Sequence, residues 1–405
     1  MILRTLAPAG APIRVSDLGR WAAQLVSLRD AEAALAGAIR SRVHCRHAFI
    51  TSTGRAGLTV LLSGMRELAG AERNEVVLPS YTCYSVAASI ARAGCRLRIV
   101  DVDRRYLDFD LKKLEEIPWD RVLAVVSTSL YGLPGRMRRI AELAREHRVF
   151  LVDDAAQSFG AFADDRPSGT WGDAGLFSLD KGKNVSAIDG GVLVTNSDAI
   201  AQVLQRRIGG LPAPSIATTS AQLIKVGVYS AFLSPSLYWL PNSLPGLKLG
   251  QTAYDPDFVI ERQSAVLAAL GRAMLPRLDA FQTHRLAVAE RLRAELSRVR
   301  RISLFAPVPE SRPAYLRFPI LADTPALRDE ILSGCGRAGL GASGSYPGSV
   351  ADIPAIRDRF AGPPDASVGR DIAKRLVTLP THPYVTDDDV RRTVAIIDSS
   401  CRTLP

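Results

Sequence analysis

The chain has too few cysteines, too unevenly placed, for a disulfide framework or a zinc site. The five are Cys45, Cys83, Cys95, Cys335 and Cys401. Their number is odd and no two are spaced as CxxC, which fits a reducing cytoplasm. Histidine is as scarce, at five residues. His44 and His47 read as ordinary polar residues near a chain turn, so no metal is expected. The sequence has no internal repeat and no low-complexity tract. Residues 1–8 carry neither a sustained apolar run nor a cleavage site, so no signal peptide is expected. The most apolar stretch, 226–240, is interrupted by Pro235 and falls short of the roughly 20 residues that span a bilayer.

What is present is an ordinary globular balance: 405 residues, 47% hydrophobic and 23% charged. At roughly 150 residues per domain this allows two or three domains. The net charge of +10 comes largely from arginines spread along the chain. A diffuse excess of this kind suits an anionic small molecule and is also compatible with weak nucleic-acid or membrane attraction. No nucleic-acid partner is expected.

Three regions are expected: an N-terminal arm and helix over 1–48, a large domain over 49–260, and a smaller domain over 261–405. In the first, 21–39 has apolar residues at helical spacing. From Phe49 the pattern alternates between strands and helices. Strands are expected at 75–79, 96–102, 122–128, 149–153, 174–179 and 191–195, and helices at 56–68, 85–93 and 137–147. Repeated strand–helix units imply an α/β fold with a mostly parallel sheet flanked by helices. Beyond 260 the pattern is α+β. Long helices are expected at 258–275 and 278–299 around Pro276, a strand at 314–321, and a last helix at 387–399. Ligands of such sheets sit outside the carboxyl ends of the strands. Gly54, Pro79, Ser129 and Asp154 all fall at such ends.

Two of these places carry chemistry. Phe150-Leu151-Val152-Asp153-Asp154-Ala155-Ala156-Gln157 ends a strand in carboxylates. Ser178-Leu179-Asp180-Lys181-Gly182-Lys183-Asn184 sets amines on a nearby loop, followed by Gly190-Gly191. A loop amine beside a strand-end carboxylate is what pyridoxal phosphate needs. The amine holds the cofactor covalently, and the carboxylate keeps the pyridine nitrogen protonated. Thr53-Gly54-Arg55-Ala56 lies where a strand gives way to a helix. Free N–H groups there suit a phosphate, and Arg55 would add charge. Of the two carboxylates, Asp153 reads as the solvated one.

These motifs, with Pro79-Ser80-Tyr81-Thr82, Leu130-Tyr131-Gly132 and Leu379-Pro380-Thr381-His382-Pro383, resemble the DegT/DnrJ/StrS family of sugar-nucleotide aminotransferases. The resemblance implies fold type I and pyridoxal 5'-phosphate as cofactor. It also implies a homodimer with sites at the subunit interface. The substrates would be an amino acid, often glutamate, and a keto-sugar on a nucleoside diphosphate. Lys183 would be the cofactor lysine and proton shuttle, favoured over Lys181 by its spacing from Ser178 and Gly190. Asp154 would face the ring nitrogen, Gln157 would lie near the ring, and Ser178 would contact the phosphate. The chain also departs from the family. Cys83 stands where an aromatic often covers the ring, which leaves Tyr84 or Tyr81 for that role. Ile260 stands where an Asn often reaches the partner's phosphate, with Arg262 two residues on. Relatives that act as sugar dehydratases usually carry His at the lysine position, and Lys183 argues against that activity here. A non-catalytic cofactor-binding regulator or assembly partner is the reading from a different class.

Residues 211–256 are the least family-like. Their apolar segment 226–240 is open to three readings: a buried or dimer-contact element, a lid over an apolar or lipid-linked substrate, or a membrane-surface segment.

Overall fold

The computed structural model describes residues 4–243 and 252–403. The part of the 211–256 segment at 244–251 lies outside the described residues. Short apolar runs form β1 (His47–Thr51), β2 (Glu75–Pro79), β3 (Arg96–Val100), β4 (Val122–Thr128) and β5 (Phe150–Asp154). After them come a small hairpin, β6 (Phe162–Ala163) and β7 (Arg166–Pro167), and then β8 (Ala174–Ser178) and β9 (Gly191–Thr195). Seven of these make one sheet in the order β1-β9-β8-β5-β4-β2-β3. The pairs β2–β3, β2–β4, β4–β5 and β5–β8 are parallel. β9 alone runs opposite to the other six strands, pairing antiparallel with β1 and β8.

Strands β2, β4, β8 and β9 are buried along their whole length, so they read as continuous apolar runs. Successive side chains point to opposite faces. Val76, Leu78, Ala124, Val126 and Val152 pack with Leu58, Leu62 and Met65 of the helix Gly54–Ala69 on one face. Val77, Val125 and Leu151 pack with Met137, Ile140 and Leu143 of the helix Met137–Glu146 on the other. The expected sheet, mostly parallel with helices on both faces, is what the chain forms.

The smaller body has a three-stranded antiparallel sheet of β10 (Ile302–Leu304), β11 (Arg317–Ala322) and β12 (Leu376–Pro380). The helices Leu278–Leu296, Pro325–Arg337 and Asp387–Thr403 share its core.

Several expected helices are corrected. The stretch 21–39 is not one helix. The chain forms Val15–Gln24, a 3-10 segment Leu25–Asp30 and then Ala31–Val43, broken at Ser27 with φ −127° and ψ 58°. The stretch 258–275 is helical only over Ala265–Met274, because Ser264 caps it by accepting from Leu267 N at 3.2 Å. By packing, this helix joins the first body, with Leu267 and Leu270 against Leu35 and Phe177, although a division at 260/261 assigns it to the second. The segment after 211 holds a 17-residue helix, Ile216–Phe232, capped by Ser215, and a short helix, Trp239–Ser243.

The N-terminal arm is tied down by hydrogen bonds. Leu6 N donates to Gly339 O at 2.8 Å, and His382 Nε2 meets Ala7 O at 2.9 Å. Burial pushes the His382 pKa down to about 3, so its neutral ring gives that N–H to the carbonyl. Arg285 is wholly buried, and no carboxylate pairs with it among the described residues. It donates to Gly10 O at 2.7 Å and Leu316 O at 3.1 Å, and burial lowers its pKa to about 10.

Candidate active site

The carboxyl ends of β4, β5 and β8 lie side by side, with Thr128 opposite Asp154 and Asp154 opposite Leu176. The loop from β8 to β9 carries the lysines over these ends. It is held by its own backbone: Leu179 N donates to Gly190 O at 2.8 Å, Lys181 N to Ile188 O at 3.1 Å, and Ala187 N to Leu179 O at 2.7 Å. Val185, Ala187 and Ile188 are sunk in the core. The loop is therefore a rigid platform, and a β-carbon on Gly191 would collide with the Thr53 carbonyl.

Two cavities meet at Lys183. The inner one, about 330 Å³, is lined by Gly54, Arg55, Asp154, Gln157, Ser178 and Lys183, among others. The outer one, about 620 Å³, adds Tyr131, Lys181, Arg317 and Tyr346. Cys83, Gln157, Asp180, Lys183 and Thr252 line both. A larger cleft of about 700 Å³ contains Leu123, Phe150 and Asp173. It lies at the amino ends of the strands, away from where open parallel sheets bind ligands.

Asp154 is buried, and its carboxylate accepts from Ala156 N at 3.1 Å and from Thr128 Oγ1 at 3.4 Å. Burial raises its pKa, and the Ala156 N–H, the Lys183 charge and the Thr128 hydroxyl oppose that rise. No hydrogen bond or salt bridge engages the Lys183 side chain among the described residues. Gln157 is fixed at both ends: its Oε1 accepts from Tyr131 N at 2.9 Å and its Nε2 donates to Tyr346 Oη at 2.7 Å.

The phosphate end is built from the helix start. Thr53 caps Gly54–Ala69 by accepting from Ala56 N at 3.1 Å. A β-carbon on Gly54 would stand 3.5 Å from Ser178 Cβ. That is ordinary contact, so the protein itself does not demand glycine there. The missing side chain instead leaves room between the helix start and Ser178. These features fit pyridoxal phosphate: an unpaired lysine, a buried carboxylate, and an open cradle at a helix start.

Three expectations are corrected. Asp153 is not solvated but has no exposure at all, and it accepts from Gly169 N at 2.7 Å and Trp171 N at 3.2 Å. It clamps the loop before β8. Tyr84 does not reach the cavity. Its ring is in the core under the helix Gly54–Ala69 and its hydroxyl points to Ser349 O at 3.5 Å. Tyr81 is also buried elsewhere, with its hydroxyl 3.2 Å from that of Tyr131, so Cys83 is the member of this motif that faces the cavity. Arg55 lines the inner cavity, but its charge is committed to Asp255 at 2.8 Å and it stacks over Phe258.

The Asp153 clamp has a pH signature. Burial is the main cause that lifts its pKa from 3.8 to about 6, against the Trp171 and Gly169 hydrogen bonds. The folded chain therefore holds this proton more tightly than the unfolded chain. Stability falls as pH rises from about 4 to about 6, by on the order of 3 kcal/mol, and the loss is complete above that window. Asp153→Asn keeps an acceptor oxygen and removes the titration. Thermal midpoints across that window should fall less steeply in the variant, and equal slopes would refute the assignment.

Sequence reasoning missed the outer cavity's far wall. Arg317, Ser345 and Tyr346 come from the small body, and Ala7, Pro8 and Ala9 from the arm. The one available signal was Leu130-Tyr131-Gly132. Tyr131 has a φ of 56°, a left-handed conformation that is uncommon for such a residue, and its hydroxyl reaches Ser345 Oγ at 2.7 Å.

The model of the DegT/DnrJ/EryC1/StrS aminotransferase family matches residues 22–213 and 261–398. The chain belongs to this family. Its members are pyridoxal-phosphate-dependent aminotransferases. The residues between the two matches, 214–260, contain the apolar segment. The chain is similar to a UDP-N-acetyl-3-dehydro-alpha-D-glucosamine 3-aminotransferase of Acidithiobacillus ferrooxidans, with 32% identity over 156 residues, 38% of this chain and 42% of the relative. It is also similar to the GDP-perosamine synthase of Caulobacter vibrioides, with 25% identity over 366 residues, 87% of this chain and 85% of the relative. Among solved structures, PseC of Helicobacter pylori, an aminotransferase involved in the biosynthesis of pseudoaminic acid, superposes with a TM-score of 0.81. The two are 15% identical, over 99% of this chain and 100% of that one. At that identity the likeness speaks for the fold.

Proposed function

We propose that this family member transfers an amino group from an amino acid, glutamate in the simplest case, to a keto-sugar carried on a nucleoside diphosphate, with pyridoxal phosphate as cofactor. The observation that carries this reading is the pairing of Lys183, free of other partners among the described residues, with the buried Asp154 in one cavity. When bound, pyridoxal phosphate supplies an electron-poor ring that accepts charge from a deprotonated carbon.

The chain's own groups do the rest. Lys183 Nζ would hold the cofactor, and once displaced by the donor amine it is placed to take up and return a proton. Asp154, buried on the wall of the inner cavity, would keep a proton on the ring nitrogen by setting a negative charge beside it. The N–H groups of Gly54 and Arg55, ahead of the capped Ala56 N, and Ser178 Oγ would hold the phosphate. Gln157, locked at both ends, would present a fixed amide to the ring. Cys83 lies on the wall shared by both cavities.

In the outer cavity Arg317, Lys181 and Lys225 suit a diphosphate. The proposed active form is a homodimer in the cytoplasm, with the exposed Arg262 available to a partner's site. No described helix is long and apolar enough to cross a membrane.

The test is a pair of half-reactions on purified, cofactor-loaded protein. Glutamate should bleach the cofactor absorption, and a panel of nucleotide-linked keto-sugars should restore it. A protein that takes up no cofactor, or keeps its colour with every amino acid, sinks the proposal.

A further inference from the structure

The cleft of about 700 Å³ at the amino ends of the strands shares no lining residue with either cavity at Lys183. Four places in the chain each send an arginine to its wall. Arg73 stands just before β2, Arg145 on the helix Met137–Glu146, Arg148 between that helix and β5, and Arg166 in β7. No salt bridge engages any of the four among the described residues. The acids of that helix, Glu142 and Glu146, pair instead with Arg139 at 3.5 Å and 3.2 Å. Arg73 and Arg166 are held by carbonyls: Arg73 Nη1 donates to Arg148 O at 2.8 Å, and Arg166 Nη2 donates to Thr170 O. A carbonyl orients a guanidinium and leaves its charge uncancelled. Arg145 and Arg148 are exposed, and neither side chain makes a hydrogen bond among the described residues. The wall contains one acid, Asp173, whose carboxylate accepts from Leu151 N at 2.8 Å.

We propose that this cleft is a second anion site, apart from the active site, and that it takes a small oligophosphate. Four guanidinium groups against one carboxylate leave an excess of three positive charges around one concave space. Like charges gathered in this way repel one another, and an entering anion relieves that repulsion. A carboxylate or a single phosphate would offset only part of the excess. An oligophosphate brings comparable negative charge and enough oxygens to meet several guanidinium forks at once. The cleft's volume is that of a small-molecule site. Single-stranded nucleic acid is held by bases stacked on open aromatic faces. Here the Trp171 ring is already engaged by Arg166 and Arg138, at 4.6 Å and 5.9 Å from its centroid, which favours a compact anion over a strand.

The experiment is calorimetric titration of the full-length, cofactor-loaded protein with inorganic tripolyphosphate. It needs no turnover, so it stands or falls apart from the aminotransferase reading. The wild type should bind tripolyphosphate, and pyrophosphate more weakly. Arg145→Gln together with Arg148→Asn removes two exposed charges without touching a hydrogen bond, and Asn accepts the left-handed backbone at 148, where φ is 52°. This pair should weaken tripolyphosphate binding at least about tenfold, with melting temperature and bleaching by glutamate unchanged. Lys181→Ala together with Arg317→Ala strips cations from the outer active-site cavity and should leave the binding as it was. Three results would overturn the proposal. The first is a wild type that does not bind tripolyphosphate, and the second is a cleft pair that binds like the wild type. The third is a short single-stranded oligonucleotide that binds through Arg145 and Arg148 more tightly than tripolyphosphate does, which would make nucleic acid the occupant.

Discussion

Replacing Lys183 by alanine is expected to abolish transamination, with turnover lowered by about 10⁴-fold or more. Two functions vanish together: the covalent hold on the cofactor and the proton carrier, and losing a positioned proton carrier alone typically costs 10²- to 10⁴-fold. The fold should survive. The lysine loop is held by backbone hydrogen bonds at Leu179, Lys181 and Ala187 and by buried Val185 and Ile188, none of which involves the Lys183 side chain. The variant should therefore melt like the wild type and fail to show the absorption of a covalently held cofactor. Lys181→Ala is the matched control. Lys181 is exposed at the rim of the outer cavity, so its loss should weaken substrate binding and leave the colour. A Lys183→Ala protein that keeps both colour and turnover moves the assignment to Lys181.

The second large effect belongs to Asp154→Asn. The substitution keeps shape and burial but removes the negative charge that faces Lys183. Asn Oδ1 can still accept from Ala156 N or Thr128 Oγ1, whereas its NH₂ cannot. Without the charge, the ring nitrogen no longer holds its proton near neutral pH, and the ring loses most of its power to accept electrons. Stabilisation of this kind is worth about 10²- to 10³-fold per group in mutational series. We expect a loss of at least that size in turnover, with cofactor still bound and coloured. Binding and catalysis then separate: absorption persists while bleaching by glutamate slows. If the variant bleaches at the wild-type rate, Asp154 does not serve the ring.

The parallel sheet was legible because buried strands are apolar along their length and end in turn residues, as 75–79 and 122–128 do. The lysine and its carboxylate were legible because both stand at strand ends, where loop residues are held by backbone geometry. Helix limits were less so. Residues 21–39 keep a helical spacing across Ser27, and nothing in that spacing shows that the backbone bends there. Asp153 and Asp154 are adjacent, so a period of two sends them to opposite faces. Sequence alone could not tell that the outward one would also be buried, under the loop 169–171. Tyr84 was misplaced for a related reason. The helix begins at Tyr84, and its first turn swings that ring into the core and leaves Cys83 at the cavity. Arg317, Ser345 and Tyr346 stand over 130 residues from Lys183 in the chain, and no local pattern joins them to it.

The arm at 6–10 leaves a mechanical consequence. Ala9 packs beside Gly182 of the lysine loop, while Leu6 and Ala7 are fastened to Gly339 and His382 of the small body. A strap of a few residues thus bridges the two bodies directly over the opening. Its span is fixed by backbone length, so the bodies cannot swing apart further than an extended peptide of that length permits. The gape of the cleft is capped by a tether, and any hinge between the bodies works within it.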